Sequence, residues 1–473
     1  MSPDVVVTEV VGGSHGLAAA YAAVRAVADA YDASGDRMRG WADLDRRVLL
    51  DADLLASAPL APLTFAEAEA AVLAAATGPD GALVASVGWE ADAAAARAAV
   101  AGLAAADELA RGAFEVLDHA LGQALGTLLP AAVPVLLPAL PALVVAGPLL
   151  APVVDDLLTD VVADHPDLAQ HLVNGGGGLL DGLLLAGLLA RLARSPRLPR
   201  DLEAAAAAVA AAYGDPGRGR AERLWPLRAV RQPRGLGDLL ADLDEVHRTG
   251  PDGTIEVRTA TAPDGSVRHV VHLPGTDDMT TLPWTRDEDA RDLATNLLLL
   301  AGLDNPYQQG VLEALGQAGV GPGEPVLLVG HSQGGMVAAA LLAADGPVAV
   351  TDVVTAGSPT AHLDGFPPGT HALSLEHRGD LVPLLDGEDN RDRPEQTTVR
   401  FDDGPSSGVA DAHGTDRYVA AAAALDASVA AGSAHPSVVD ALDRLEERGY
   451  VAGPAGTVVT SQVFVVVRDE VTG

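Results

Sequence analysis

Residues 326–342, VLLVGHSQGGMVAAALL, constrain the fold more than any other stretch of the chain. Four consecutive apolar residues, two of them β-branched valines, read as a short strand buried on both faces. A helical run follows after five residues, Gly330-His331-Ser332-Gln333-Gly334, the G-x-S-x-G pattern. Such a sharp strand-to-helix turn lifts a serine hydroxyl above a sheet edge, and its close neighbours must be small. The pattern occurs a second time at Gly12-Gly13-Ser14-His15-Gly16. Only eleven residues precede it, too few to supply the earlier strands of such a sheet, so Ser14 is expected to cap the first helix.

The same texture surrounds the first pattern. TIEVRTATAPDGSVRHVVHL predicts two strands joined at Pro-Asp-Gly. Helical stretches are expected around Leu293–Leu300 and Val311–Leu315, and strands at TDVVTA (351–356) and HALSLEH (371–377). YVAAAAALDASVAA and VVDALDRLEERG read as helices, and TVVTSQVFVVV as a strand on the sheet edge. Strands alternating with helices imply an α/β domain with a mostly parallel sheet covered on both faces, over 246–473. Residues 1–245 are instead expected to be an all-helical N-terminal region, from apolar residues at three- and four-residue spacings. Thr64 with Glu67 has capping-box spacing there, and Asp201 is placed to cap the run after it.

Within that region, 120–154 carries no charge and has prolines at 130, 134, 138, 141, 148 and 152. A bilayer span needs about 20 apolar residues, whereas interior prolines disrupt a helix. Burial, contact with a lipid surface and insertion all remain open for it, and a role lining an apolar substrate entrance is expected. The chain has 30 basic and 65 acidic residues, a net charge of −35 and no cysteine. Every cation is arginine. This composition excludes cysteine-ligated metal, thiol nucleophiles and disulfides, and argues against nucleic acid as a partner. No HExxH or similar ligand spacing occurs, so no metal or other cofactor is expected. The first residues carry no secretory signal pattern, which leads to an expectation of a cytoplasmic protein.

Ser332 has candidate partners. Pro274-Gly275-Thr276 ends an apolar strand, and backbone N–H groups there and at Gln333 can face a developing oxyanion. Asp380 follows the strand ending near His377, with Asp386 and Asp389 as alternatives. His413 lies in a loop before a helix, and competes with His362, His371 and His377. The chain order Ser332, Asp380, His413 is the one this architecture requires. A serine hydroxyl is a poor nucleophile at pH 7, so an imidazole must take its proton and a carboxylate must fix that imidazole's tautomer.

HLPGT, VLLVGHSQGGMVA, VVTAGSPT, HRGDLVP and AHGTDRYV together resemble the α/β-hydrolase superfamily over about 250–425. The lipase branch, with class 3 lipases and inositol-deacylase-like hydrolases, is the nearest in pattern. The resemblance implies a serine esterase acting on lipid or acyl-chain esters through an acyl-enzyme. Ser332 would be the nucleophile, Asp380 the acid, His413 the base, and Thr276 with Gln333 the oxyanion hole. Two other readings compete: a catalytically idle lipid-binding protein, and a toxin or effector whose helices deliver the hydrolase.

Overall fold

The computed structural model describes residues 5–107, 109, 202–387, 389–404, 406 and 408–469. The expectations for 120–154 and for Asp201 lie outside these residues. Two compact units emerge, one of Leu17–Ala113 and one of Met1–Gly16 with Phe114–Gly473.

In the first unit, α1 (Leu17–Leu49) and α2 (Ala52–Ser57) are followed by α3 (Pro62–Thr77) and a further helix, α4, over 82–107. Asp51 starts α2 by accepting from the N–H groups of Asp53 and Leu54. The capping box expected at Thr64 does not form. Pro62 already occupies the first turn, and the Thr64 hydroxyl turns back to the Ala61 carbonyl at 3.0 Å. By length and composition alone, Pro62–Asp107 is apolar enough to cross a membrane. Alanine-rich helices pass that test readily.

The second unit is built on one nine-stranded sheet. Its strands are β1 (Val6–Gly12), β2 (Arg218–Val230), β3 (Thr254–Thr261), β4 (Val267–Leu273) and β5 (Pro325–His331), then β6 (Ala349–Ala356), β7 (His371–His377), β8 (Gln396–Asp402) and β9 (Val458–Asp469). Their spatial order is β1-β8-β7-β6-β5-β4-β3-β9-β2. The run from β4 to β8 is parallel, and the remaining pairings are antiparallel. The sheet is therefore mixed, with a parallel centre of five strands that fits the expected α/β architecture.

Two strands correct the expectation of an all-helical 1–245. β1 pairs with β8, and β2 pairs with β9, so neither 6–12 nor 218–230 is helical and position 245 does not divide the two units. Both are edge strands. β2 is charged and largely exposed, with Pro226 inside it, which discourages pairing with another chain. β9 is not at the edge either, because β2 covers it.

Both faces of the parallel core are buried. Val326 and Leu328 pack into a core formed with α8 (Pro306–Ala318) and α9 (Gln333–Ala343). Leu327 and Val329 point the other way, toward α6 (Leu236–Thr249), α11 (Thr415–Ala430) and α12 (Pro436–Glu447). This is why the VLLV strand has no polar position: alternate side chains leave opposite faces, and both faces are dry. The smaller helices α5 (Leu202–Ala210), α7 (Leu293–Leu300) and α10 (Val409–Ala412) complete the unit.

Candidate active site

Ser332 sits between β5 and α9 with φ 53° and ψ −123°, a conformation that L-residues rarely adopt. Three backbone bonds hold it there. Its N–H donates to the Ala356 carbonyl of β6 at 2.9 Å, and its own carbonyl accepts from Gly335 at 3.0 Å and Met336 at 3.2 Å. The flanking glycines are sterically required. A Cβ on Gly334 would stand 1.9 Å from the Leu273 carbonyl oxygen, and one on Gly330 would stand 2.4 Å from the Gly334 backbone. The turn thus forms where the sheet centre and the following helix approach too closely for larger residues.

Ser14, in the second copy of the pattern, follows the edge strand β1 and donates its hydroxyl to Asp440. It lies two residues before Gly16, which precedes α1.

Asp380 and His413 come together. The His413 Nδ1 lies 2.6 Å from Asp380 Oδ2, and the Asp380 carboxylate is buried. The same Oδ2 accepts the Tyr418 hydroxyl at 2.6 Å, and Oδ1 accepts the Val382 N–H at 2.9 Å. Tyr418 in turn accepts the His377 N–H at 3.2 Å. Burial, reinforced by the Asp380 charge, pushes the Tyr418 phenol well above its usual range, so it remains a donor. Gly357 makes room for the assembly. It has φ +61°, and a Cβ there would stand 2.9 Å from both Asp380 Oδ2 and the Tyr418 oxygen.

The alternatives are engaged elsewhere. Asp386 accepts from the Ala361 N–H, and Asp389 pairs with Arg400. His362 approaches Asp386, His371 meets Thr397, and His377 meets Asp403. His331 supports His413. Its Nε2 lies 2.9 Å from the His413 carbonyl oxygen, and the two rings stack at 4.4 Å between centroids. Burial, with His413 beside it, holds His331 well below its usual range, so the neutral ring donates from Nε2 to that carbonyl. Ser332 Oγ makes no hydrogen bond to His413 in this arrangement, although both face one cavity. Catalytic hydrogen bonds are often long before substrate binds and tighten with it.

Thr276 and Gln333 lie on the opposite side of the serine. Asn296 on α7 links them: its Nδ2 donates to Thr276 Oγ1 at 3.0 Å, and its Oδ1 accepts from Gln333 Nε2 at 2.9 Å. α7 is itself anchored by Asp292, which caps Thr295 and forms a buried bidentate pair with Arg468 at 2.9 Å for both bonds. The Tyr307 hydroxyl donates to the Pro274 carbonyl at 3.1 Å and braces the loop that carries Thr276. The side chains of Thr276 and Gln333 are thus committed to one another's support, which leaves their backbone N–H groups for a ligand. Among the described residues, neither N–H has a backbone acceptor.

These groups open on a cavity of about 990 Å³ lined by Ser332, His413, Thr276, Asn296, Met336 and three leucines of α7, Leu293, Leu297 and Leu300. It is within the range of small-molecule sites, and a few polar groups converge in mainly apolar walls. No group of three or more His, Cys, Asp or Glu side chains suited to a metal ion occurs among the described residues.

Residues 306–369 match a family model described as "Alpha/beta hydrolase". The match supports the α/β-hydrolase superfamily and, with it, a hydrolase activity. It contains β5, Ser332, α9 and β6. Asp380 and His413 lie beyond it. No curated protein and no solved structure matches the chain.

Three contributors escaped sequence reasoning. Tyr418 stands five residues after His413 in an alanine-rich helix, and Asn296 is the lone amide among leucines; each was a visible polar exception. Gly357 belongs to the AGSP run, whose steric reason needs the fold.

Proposed function

We propose that the chain is a serine hydrolase that cleaves carboxylic esters with an apolar acyl group, through an acyl-enzyme. The observation that carries this reading is the 2.6 Å His413–Asp380 pair together with a backbone-strained Ser332, His413 and Ser332 lining one cavity. With Asp380 on Nδ1, the His413 Nε2 lone pair is left to act as base. Ser332 Oγ attacks the ester carbonyl as Nε2 takes its proton. The N–H groups of Thr276 and Gln333 receive the oxyanion, where one such donor is worth about 3–4 kcal/mol. The imidazolium then protonates the departing alcohol, and a water activated by the same Nε2 releases the acid.

Hydrolysis of p-nitrophenyl esters by the full chain and by Ser332→Ala tests this. Turnover is expected to fall on the order of 10⁶ in the variant, to the uncatalysed background. Fluorophosphonate labelling of the protein is expected to vanish with it. The unbonded Ser332–His413 pair favours one competing reading, an idle site on a hydrolase fold. Equal turnover and equal absence of label in both proteins would establish that alternative.

A further inference from the structure

Next to Asp380 and His413 stands a second imidazole–carboxylate pair, which the proposed reaction does not use. The ring of His377, at the end of β7, has its Nε2 2.9 Å from Asp403 Oδ1, and both side chains are buried. Its Nδ1 accepts the Gly379 N–H at 3.1 Å. A ring nitrogen that accepts carries no proton, so His377 is neutral and donates from Nε2 to Asp403. Arg417, in the first turn of α11, carries the connection onward. It donates from Nη1 to Asp403, from Nη2 to Asp411 Oδ2 at 2.8 Å and from Nε to the Asp411 carbonyl at 3.0 Å. That carbonyl also accepts the Gly414 N–H at 3.1 Å, which closes the turn containing His413. Hydrogen bonds therefore run unbroken from the Gly379 N–H through His377, Asp403 and Arg417 to Asp411. One end is the turn that leads into Asp380, and the other is the turn that carries His413.

We propose that Arg417 is a positioning residue, which sets the spacing of Asp380 and His413 through this chain of bonds. The inference rests on the hydrolase reading above and extends it. Asp380 and His413 arrive on separate loops and meet through one side-chain contact. Tyr418 fixes the Asp380 end of that contact, and His331 holds the His413 carbonyl. Arg417 is the part that joins the two loops to each other. Asp403 and Asp411 carry like charges, and the guanidinium between them converts repulsion into a bridge. Its planar fork suits this place, because it engages two carboxylates and a carbonyl in fixed directions, whereas an ammonium acts as a point charge. A buried ion pair stabilises a fold little more than apolar groups of the same size, so stability alone does not account for these charges. Placement does, since a shift of about 1 Å in a reacting group costs up to roughly 100-fold in rate.

The test is p-nitrophenyl acetate turnover by the full chain, with reactive sites counted by fluorophosphonate titration to completion. Because kcat is then expressed per labelled site, unfolded protein does not enter it. Arg417→Gln is expected to lower this kcat roughly 10–100-fold, with KM changed less than about twofold. Asp403→Asn keeps the shape but not the charge, and is expected to act in the same direction. Arg417→Lys keeps the charge without the fork, and is expected to recover only part of the loss. Arg444→Gln is the control for a merely structural role. Arg444 also donates to a buried carboxylate, that of Asp352 on β6, which lies outside the chain of bonds described here. Its loss is expected to reduce stability and leave kcat per site unchanged. Unchanged kcat per site in Arg417→Gln and Asp403→Asn, a change confined to KM, full recovery by lysine, or an equal loss in Arg444→Gln would each overturn the positioning role while leaving ester hydrolysis intact. Absence of both turnover and label in the native chain would remove the underlying reading and this one with it.

Discussion

Replacing Ser332 by glycine and by alanine separates two properties of one position. Both substitutions remove the proposed nucleophile. Only glycine removes the Cβ that makes φ 53° and ψ −123° unfavourable, a conformation whose cost is of order 1–3 kcal/mol for other residues. Glycine also gives the unfolded chain more freedom, which offsets about 0.5–1 kcal/mol of the relief. The backbone bonds to Ala356, Gly335 and Met336 do not involve the side chain and persist in both variants. Ser332→Gly is therefore expected to be more stable than Ser332→Ala by about 1–2 kcal/mol. In a unit of this size that corresponds to a rise in Tm of roughly 1–4 °C. Urea titrations of both variants, followed on the transition of the sheet unit, read the difference, and p-nitrophenyl ester turnover should be at background in each. A glycine variant no more stable than the alanine one would refute the argument that strain at the turn is held in place by its surroundings. Ester turnover surviving in the alanine variant would refute the assignment of the nucleophile.

Tyr418→Phe deletes a donor to Asp380 and leaves the His377 N–H without its acceptor, so a loss of about 2–4 kcal/mol on denaturant titration is expected, with kcat reduced more than KM is changed. An unchanged kcat would show that Asp380 is oriented well enough by Val382 alone. Asn296→Ala frees the Thr276 loop from Gln333, and kcat/KM is expected to drop roughly 10–100-fold, mostly in kcat, while native stability changes little. An effect confined to KM would place Asn296 in ground-state binding instead. His371 supplies the pH dependence. Burial, with Arg444 nearby, lowers it from 6.5 to about 4. The unfolded chain then takes up a proton at a pH where the folded one does not, so this stability is complete above pH 6.5 and is lost as pH falls toward 4. The loss is on the order of 1–3 kcal/mol, and His371→Gln should flatten the stability curve over that interval. Parallel curves for native chain and variant would show that the ring is not held neutral.

The central sheet was readable because its strands satisfy a local rule. VLLV is apolar on both faces because helices cover both, TDVVTA and HALSLEH send Val353, Val354, Ala372 and Leu373 into the same two cores, and the Pro263-Asp264-Gly265 turn joins β3 to β4 with Gly265 at φ +86°. The margins escaped because nothing local defines them. β1 is a strand by virtue of β8, where Val6 meets Asp402. β2, RGRAERLWPLRAV, buries little of its length and draws its conformation from hydrogen bonds to β9. Its charges serve an edge, and the same charges conceal the strand from any search for apolar alternation. The sheet margin at TVVTSQVFVVV was misplaced for the same reason: an edge is a statement about neighbours, and β2 was the neighbour unread.

The site divides along a similar line. Ser332, Asp380 and His413 could be singled out as candidates because the proposed chemistry restricts which residue types can take each role and the fold restricts their order. The supports were not, because any residue able to fill a particular gap would serve. The two G-x-S-x-G copies make the point inside one molecule. Ser14 has the flanking glycines and a valine-rich strand before it, yet its strand is at the sheet edge and its hydroxyl is spent on Asp440. Ser332 follows a strand with parallel neighbours on both sides. β4 leads into the Thr276 loop, and β6 leads to Gly357, beside which Asp380, Tyr418 and His413 pack. A serine at a tight turn becomes a candidate nucleophile only when flanking strands deliver donors on one side and an acid–base pair on the other. That condition belongs to strand order, which is why the pentapeptide alone did not discriminate between the two positions and the residues near 276, 380 and 413 did.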